Sequence, residues 1–293
     1  MGMQALLTAA EQIWLSTQAD CPLLSVEVLP RTDSTNTQLL QRGRQGDTAP
    51  SLLAALEQTA GRGRQGRQWV ANPGDSLTFS LGMPLDLERI PGGASALSLA
   101  VGLSLAESLS AQLPIATPGI QLKWPNDLWW RGRKLGGILI EATPAPGLSG
   151  GQRWVVIGVG LNLREVDGSP GFESTSLQAC CGDAPGLGYV WQAICPHLIR
   201  TVQAFERDGF APLQARYAAR DALQGQSVAL WQGAQRPDWQ TQPPSQTGKA
   251  AGIDWDGALL VHTAEGPQRW VTGEVTVRVQ NPSTSSPTSP FGS

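Results

Sequence analysis

The chain is poor in the residues that build the commonest special-purpose proteins. Cysteine occurs four times in 293 residues, at Cys21, Cys180, Cys181 and Cys195, with no C-x-x-C spacing and no histidine cluster beside them. That pattern indicates neither a zinc site nor a disulfide framework, so reduced thiols in a cytoplasmic setting are expected. Charge is also sparse, at 15% of residues with a net of −3, and the 21 basic residues include just three lysines, Lys123, Lys134 and Lys249. Without a polybasic tail or a broad basic face, general DNA binding is not expected. The longest uncharged apolar stretch, residues 94–106, is rich in Ala, Ser and Gly and ends at Glu107, short of the roughly 20 residues needed to cross a bilayer. The opening MGMQALLTAAEQIW lacks a basic region and carries Glu11 early, so it reads as a short amphipathic helix and not as a secretory signal. Leu6 stands where N-myristoylation needs Ser or Thr. What the chain does have is 41% hydrophobic residues, enough to bury the core of one large domain, or of a medium domain plus a small one.

Hydrophobic spacing suggests an α+β chain. Residues 1–27 hold one helix, too little for a helix-turn-helix unit. STNTQLL, after Asp33, reads as a helix start that Ser34 or Thr35 can cap. Ser51–Gln58 reads as a buried strand. Leu77, Phe79, Leu81 and Met83 alternate as a half-buried strand does. Leu97, Val101, Leu105 and Leu109, with Leu99, Leu103 and Ala106 on a second face, predict a helix buried on most sides. Strands are expected over 121–130, 135–142 and 154–163, the first two joined by a turn at 131–134. Loops over 143–152 and 166–188 precede a helix over 191–205. From 224 the chain turns to short strands, 227–231, 250–254, 258–262 and 269–279, which suggest a small β-barrel with a long polar insertion at 232–248. The division is then 1–27, an N-terminal segment; 28–223, the large domain; 224–280, the small domain; and 281–293, a tail of disordered composition.

Two constellations carry chemistry. Gly61, Gly63 and Gly66 fit G-x-G-x-x-G, yet Pro73-Gly74 and a period-two strand follow where a dinucleotide fingerprint must open a helix. Kinase motifs and a Walker A sequence are absent. What remains is a flexible loop with Arg62, Arg64 and Arg67, suited to a carboxylate beside a polyphosphate, or alternatively a solvated or RNA-contacting segment. The second constellation is K-W-P-N-D-x(6)-K-L-G-G-I-L-I-E from Lys123 to Glu141, which by itself also fits a strand end, a Pro-Asn-Asp turn and an ordinary hairpin lysine.

Together these segments resemble the biotin protein ligases, from about Arg31 to Val279. The matching stretches are STNTQLL, EQTAGRGRQGRQW, LKWPNDLWWRGRKLGGILIEA, VVIGVGLNL, STSL, GKAAGIDWDGALLV and GEVTVR, in the family's order and spacing. The resemblance implies a class II synthetase-like mixed sheet with helices on one side, followed by an SH3-like barrel. It also implies a two-step activity. Biotin is activated by ATP, with Mg²⁺, to biotinyl-5′-AMP, and the biotinyl group then passes to one lysine of a biotin carboxyl carrier domain, as in acetyl-CoA carboxylase.

By motif position, the resemblance assigns Ser34, Thr35, Asn36 and Gln58 to the biotin rings, and Arg62, Gly63 and Arg64 to a loop over biotin and the adenylate. Arg67, Trp69, Lys123, Asn126 and Asn162 fall on the nucleotide side, Trp69 being alternatively a core aromatic. Lys134 matches the lysine that bridges carboxylate and α-phosphate. Arg64 and Asp127 join it as catalytic candidates, Asp127 as a partner for Mg²⁺ or an active-site cation, or as a turn-stabilising residue. Glycines 136, 137, 158 and 160 are expected to allow close approach. Three rivals stand beside this reading: a lipoate or octanoate ligase on the same core, a ligase that is also a repressor, and a carrier-binding module without catalysis. The short N-terminal segment speaks against the second, and the arginine loop with Lys134 against the third.

Overall fold

The computed structural model describes residues 2–70, 72–165, 174–233, 241–271 and 275–280. The expected tail at 281–293 lies outside these residues, as does residues 234–240 of the polar insertion. The main unit is a seven-stranded sheet in the order β1-β2-β3-β7-β6-β5-β4. Its strands are β1 (Ser25–Thr32), β2 (Ser51–Gln58), β3 (Ser76–Leu85), β4 (Gln121–Lys123), β5 (Asp127–Trp130), β6 (Arg133–Thr143) and β7 (Arg153–Asn162). Only β1 and β2 run parallel; the other neighbours are antiparallel, so the sheet is mixed as expected.

The period of two along β3 and β7 separates the two faces of this sheet. Leu77, Phe79, Leu81, Val155, Ile157 and Val159 point into the main core, formed with helices α1 (Gly2–Thr17), α3 (Gly93–Gln112) and α5 (Leu187–Asp208). Trp154 and Val156 point the other way, onto Leu39 and Leu40 of α2 (Thr35–Arg44). Helices therefore cover both faces, where the family resemblance implied one. The same second face carries the small residues Ser80, Gly82, Gly158 and Gly160. It leaves room beside α2, and β3 is buried on both sides instead of half-buried.

Several local expectations are corrected. Residues 121–130 are not one strand: they form a hairpin, β4 and β5, around a cis Trp124–Pro125 bond. Ser34 sits at the N-cap of α2 but its side chain caps nothing. β1 was not foreseen, and it runs across the boundary drawn between residues 27 and 28. The loop over 166–188 contains a short helix, α4 (Leu177–Cys181), and α5 starts at Leu187, ahead of the expected 191. By length and composition α3 could cross a membrane, against the estimate from the sequence, but 72% of that segment is buried inside the protein.

After α6 (Gln214–Ala218), the chain forms a five-stranded antiparallel sheet of β8 (Ser227–Gln232), β9 (Gln246–Ile253), β10 (Leu259–Thr263), β11 (Gly266–Trp270) and β12 (Val275–Val279). The stretch expected as one strand over 269–279 is divided between β11 and β12. This sheet shares the main core, and two of its contacts lie close together. The indole N–H of Trp124 donates to the Gly257 carbonyl at 3.1 Å. Gly92, at φ +79°, comes so close to the Asp256 carbonyl that a Cβ there would overlap it.

The link between the units pairs with β4. Leu122 N–H donates to Arg220 O at 2.8 Å and Ala222 N–H to Leu122 O at 2.9 Å, which buries Asp221 next to the strand that ends in Lys123. One Asp221 oxygen accepts the Leu223 N–H at 2.9 Å, while Oδ2 is buried without a partner. Burial pushes this carboxyl up to about 6. A carboxyl raised in the folded state stabilises below its unfolded value, near 4, and that contribution is lost as pH rises through 6. Asp221→Asn is therefore expected to stabilise the protein by about 1–3 kcal/mol at pH 7.5, with a gain that shrinks at pH 5. Thermal denaturation at the two pH values checks this, and an equal effect at both contradicts it.

Candidate active site

A cavity of about 540 Å³ opens on the α2 face of the large sheet and is closed from the other side by β12 through Val275, Thr276 and Val277. Its floor requires two glycines on β7. A Cβ at Gly158 would overlap Asn36, and one at Gly160 would overlap the Trp69 indole. These contacts give the expected close approach its physical content.

The arginine loop is folded back on itself. Arg62 and Gln68 form an antiparallel bridge, Trp69 N–H donates to Gly61 O at 2.9 Å and Gly63 N–H to Arg67 O at 2.7 Å. Between them is a single 3-10 turn, Arg64–Gly66, with Gln65 at φ 54° and Gly66 at φ 69°, a conformation glycine adopts freely. Thr276 of β12 donates to Gln65 Oε1 at 3.3 Å, so the small sheet touches the loop directly. No helix follows the glycines, and the chain goes on into β3, as the pattern around Pro73-Gly74 implied.

One end of the cavity is a cluster of cations around a single carboxylate. The β4–β5 turn makes Lys123 and Asp127 cross-strand partners, and the β5–β6 hairpin, turning at Arg131-Gly132, brings back Lys134. Lys134 Nζ lies 2.6 Å from Asp127 Oδ1. Lys123 is buried, with Nζ 4.7 Å from the Trp129 ring centroid. Burial would raise the Asp127 carboxyl, but Lys134 and then Lys123 outweigh it and hold it below the usual range. Burial pushes Lys123 down to about 8, with Asp127 opposing and Lys134, Arg278 and Arg67 adding to the fall. Arg64 is also lowered by burial, but a guanidinium starts so high that it stays charged. Its Nη1 donates to Asn126 Oδ1 at 3.3 Å, and Asn126 Nδ2 donates to Ile138 O at 2.7 Å. Asp127 thus meets an active-site cation, one of its expected partners. One of its oxygens is engaged by Lys134, and no group of three His, Cys, Asp or Glu that could hold a metal by itself occurs among the described residues.

The other end is a set of neutral hydrogen-bonding groups. Ser34, Thr35 and Asn36 are buried at the start of α2, and Thr35 N–H donates to Gln58 Oε1 at 2.7 Å. Between the two ends, Trp69 stands half-buried over Gly160, 5.9 Å from Lys134 Nζ, with its indole N–H buried and unpartnered. Asn162 lines the wall and donates to Thr175 O at 3.1 Å. Every candidate biotin, nucleotide and catalytic residue carried over from the resemblance, from Ser34 to Asn162, therefore lines this cavity, whereas Gly61 and Gly136 do not. Sequence reasoning missed Glu141, which accepts from Arg62 Nη2 at 2.6 Å and from Asn36 Nδ2 at 2.9 Å. It also missed Ser80 and the β12 residues. The available signal was parity: Glu141 shares a β6 face with Gly137 and Leu139, and Ser80 shares the small, non-apolar β3 face with Thr78 and Gly82.

A cavity with fixed cations at one end and neutral donors and acceptors at the other suits a class of protein that activates a carboxylic acid as an acyl phosphate. The comparisons narrow this class. The chain belongs to the biotin/lipoate A/B protein ligase family, whose model matches residues 28–162, and residues 242–278 match the biotin protein ligase C terminal domain. It is 34% identical to the bifunctional ligase/repressor of Escherichia coli K12, over 87% of this chain and 74% of that protein. It is 31% identical to the biotin–[acetyl-CoA-carboxylase] ligase of Paracoccus denitrificans, over 85% of this chain and 98% of that protein. Among solved structures, the biotin protein ligase from Aquifex aeolicus in complex with biotin and ATP superposes with a TM-score of 0.69 at 26% identity, covering 87% of this chain and 99% of that one.

The Lys123 value sets a pH dependence. Its charge is present below about 8 and lost above it, so affinity of the cavity for pyrophosphate is expected to fall on the order of tenfold between pH 7 and 9. In Lys123→Arg, whose guanidinium keeps its charge, the pH dependence should flatten. Calorimetric titration with pyrophosphate checks this, and an unchanged slope in the variant contradicts it.

Proposed function

We propose that this protein condenses biotin with ATP to biotinyl-5′-AMP and transfers the biotinyl group to one lysine of a biotin carboxyl carrier domain such as that of acetyl-CoA carboxylase. The observation that carries this reading is the polarity of the one cavity. Ser34, Thr35 and Gln58 offer neutral hydrogen-bonding groups at one end, and Lys134, Arg64 and Lys123 gather at the other. Biotin has the matching polarity, a cyclic urea joined by an aliphatic arm to a carboxylate. All four cysteines are free thiols, in keeping with a cytoplasmic setting.

In the first step a biotin carboxylate oxygen attacks the α-phosphorus of ATP, and the bond to the bridging oxygen breaks to release pyrophosphate. Two anions must meet, and Lys134 with Arg64 offsets their repulsion. A compact ammonium on a flexible stem can follow the oxygens from ground state to transition state. Asp127 holds that ammonium in place. With its acidity strengthened by two lysines, it is a charge partner and a poor proton acceptor. Trp69, over Gly160, gives the adenine a stacking face, and Asn162 gives an amide beside it. Mg²⁺ belongs in this reading to the triphosphate and not to a protein-built site. In the second step the neutral carrier amine attacks the acyl carbon, the carbon–oxygen bond to phosphate breaks, and AMP leaves. The folded loop over 61–69 and β12 keep water from the adenylate until then.

Mass spectrometry of a carrier domain incubated with the protein, ATP, Mg²⁺ and biotin tests the whole reading. One biotinyl addition on one lysine is expected. Modification only when lipoate replaces biotin would assign the lipoyl branch of the family instead. Lys134→Ala should lower biotin-dependent pyrophosphate exchange by roughly 10²-fold or more, since it removes the charge nearest the reacting oxygens. Arg64→Gly should loosen the loop and let the adenylate escape, read as biotin on bystander lysines. Labelling still confined to the carrier would contradict that role.

A further inference from the structure

Resting on the ligase reading, we infer that Glu141 is a positioning residue that fixes, through Asn36 and Ser80, the direction in which the Thr35 hydroxyl points, and so the hydrogen-bonding character of the wall that receives the biotin ring. The relay is a continuous series of short contacts. Glu141 Oε2 accepts Asn36 Nδ2 at 2.9 Å; Asn36 Oδ1 accepts Ser80 Oγ at 2.6 Å; Ser80 Oγ and Thr35 Oγ1 are 2.7 Å apart. The opposite end is fixed separately by the Thr35 N–H bond to Gln58 Oε1 at 2.7 Å.

Counting protons gives the relay one sense only. Glu141 is ion-paired with Arg62 at 2.6 Å and, as a carboxylate, can only accept. Asn36 must therefore turn its NH₂ toward Glu141, which also satisfies the Leu139 carbonyl at 3.3 Å, and its oxygen toward Ser80. Ser80 must spend its single proton on that oxygen. At 2.7 Å the contact between Ser80 and Thr35 then requires the proton of Thr35. Thr35 Oγ1 is left presenting lone pairs to the cavity, and its longer 3.1 Å contact with Gln58 Oε1 has no proton left to share. The Gln58 amide, with its oxygen held by Thr35 N–H, turns its NH₂ outward. The wall thus offers an acceptor at Thr35 beside a donor at Gln58, the complement of a ligand with an N–H next to a C=O, as in a cyclic urea. Asn36, with both ends of its amide engaged by protein, acts here as a link in the relay and not as a ring contact.

The inference explains two further features. Gly158 must lack a Cβ because Asn36 occupies that space. The ion pair also ties the arginine loop to the ring subsite, since one carboxylate serves both Arg62 and Asn36.

Steady-state pyrophosphate exchange with the full chain tests the relay. Glu141→Gln keeps the size of the side chain but can donate as well as accept, so the sense of the relay is no longer imposed. It should raise the biotin KM by about tenfold while kcat and the ATP KM stay within about threefold. Ser80→Ala should do the same, and the double variant should be no worse than either single one, because both break one relay. A biotin KM within twofold of wild type in Glu141→Gln, or multiplying effects in the double variant, would overturn the relay alone. Failure of the wild-type protein to exchange pyrophosphate with biotin would overturn the ligase reading and the relay with it.

Discussion

The site is organised around one largely buried carboxylate. Asp127 lies 2.6 Å from Lys134 and directly across the β4–β5 hairpin from Lys123. Gathering several cations in a poorly hydrated pocket is costly unless a fixed negative charge accompanies them. Too much negative charge would cancel the attraction for substrate. A single carboxylate among Lys123, Lys134, Arg64 and Arg67 leaves the pocket net positive while giving the lysine nearest the chemistry a fixed position. The depressed Lys123 shows the other side of this balance: one more cation sits at the edge of what the pocket can keep charged at physiological pH.

The hairpin that delivers this arrangement is held from outside the catalytic sheet. Trp124 sits at its turn, fully buried, and donates to Gly257 of the small sheet. Thr276 of that sheet reaches the arginine loop. The small sheet therefore touches both strips of sequence that carry the positive charge. Its shared core with the main unit makes it part of the site's frame and not an appendage.

Much of this was legible in the residues, for identifiable reasons. The alternation of Leu77, Phe79 and Leu81 survives because it faces a continuous apolar layer, and the spacing of KWPND to Lys134 survives because two short hairpins convert sequence distance into contact. Other parts were hidden. Residues 121–130 read as one strand because nothing in a local pattern shows that the chain reverses at Trp124–Pro125. Ser34 looked like a helix cap, yet its side chain caps nothing and lines the cavity. The engagement of Asn36 was hidden too, because only the packed structure reveals that Glu141, more than a hundred residues away in sequence, uses its amide. Glu141 figured only as the last residue of the pattern that starts at Lys123. Long-range polar pairs of this sort leave little trace in periodicity, which reports only which face is buried.

In the proposed ligase reaction one cavity holds the biotin rings at Thr35 and Gln58 and brings the biotin carboxylate and the α-phosphate together beside Lys134. A crystal structure of the protein grown with biotin and ATP tests it most directly. The account predicts biotinyl-AMP lying along the cavity, its ring end at Thr35 and Gln58, its acyl phosphate within hydrogen-bonding distance of Lys134 Nζ, and its adenine against Trp69. A nucleotide bound away from Lys134 and Trp69, or a biotin ring system seated at the cationic end, would contradict it.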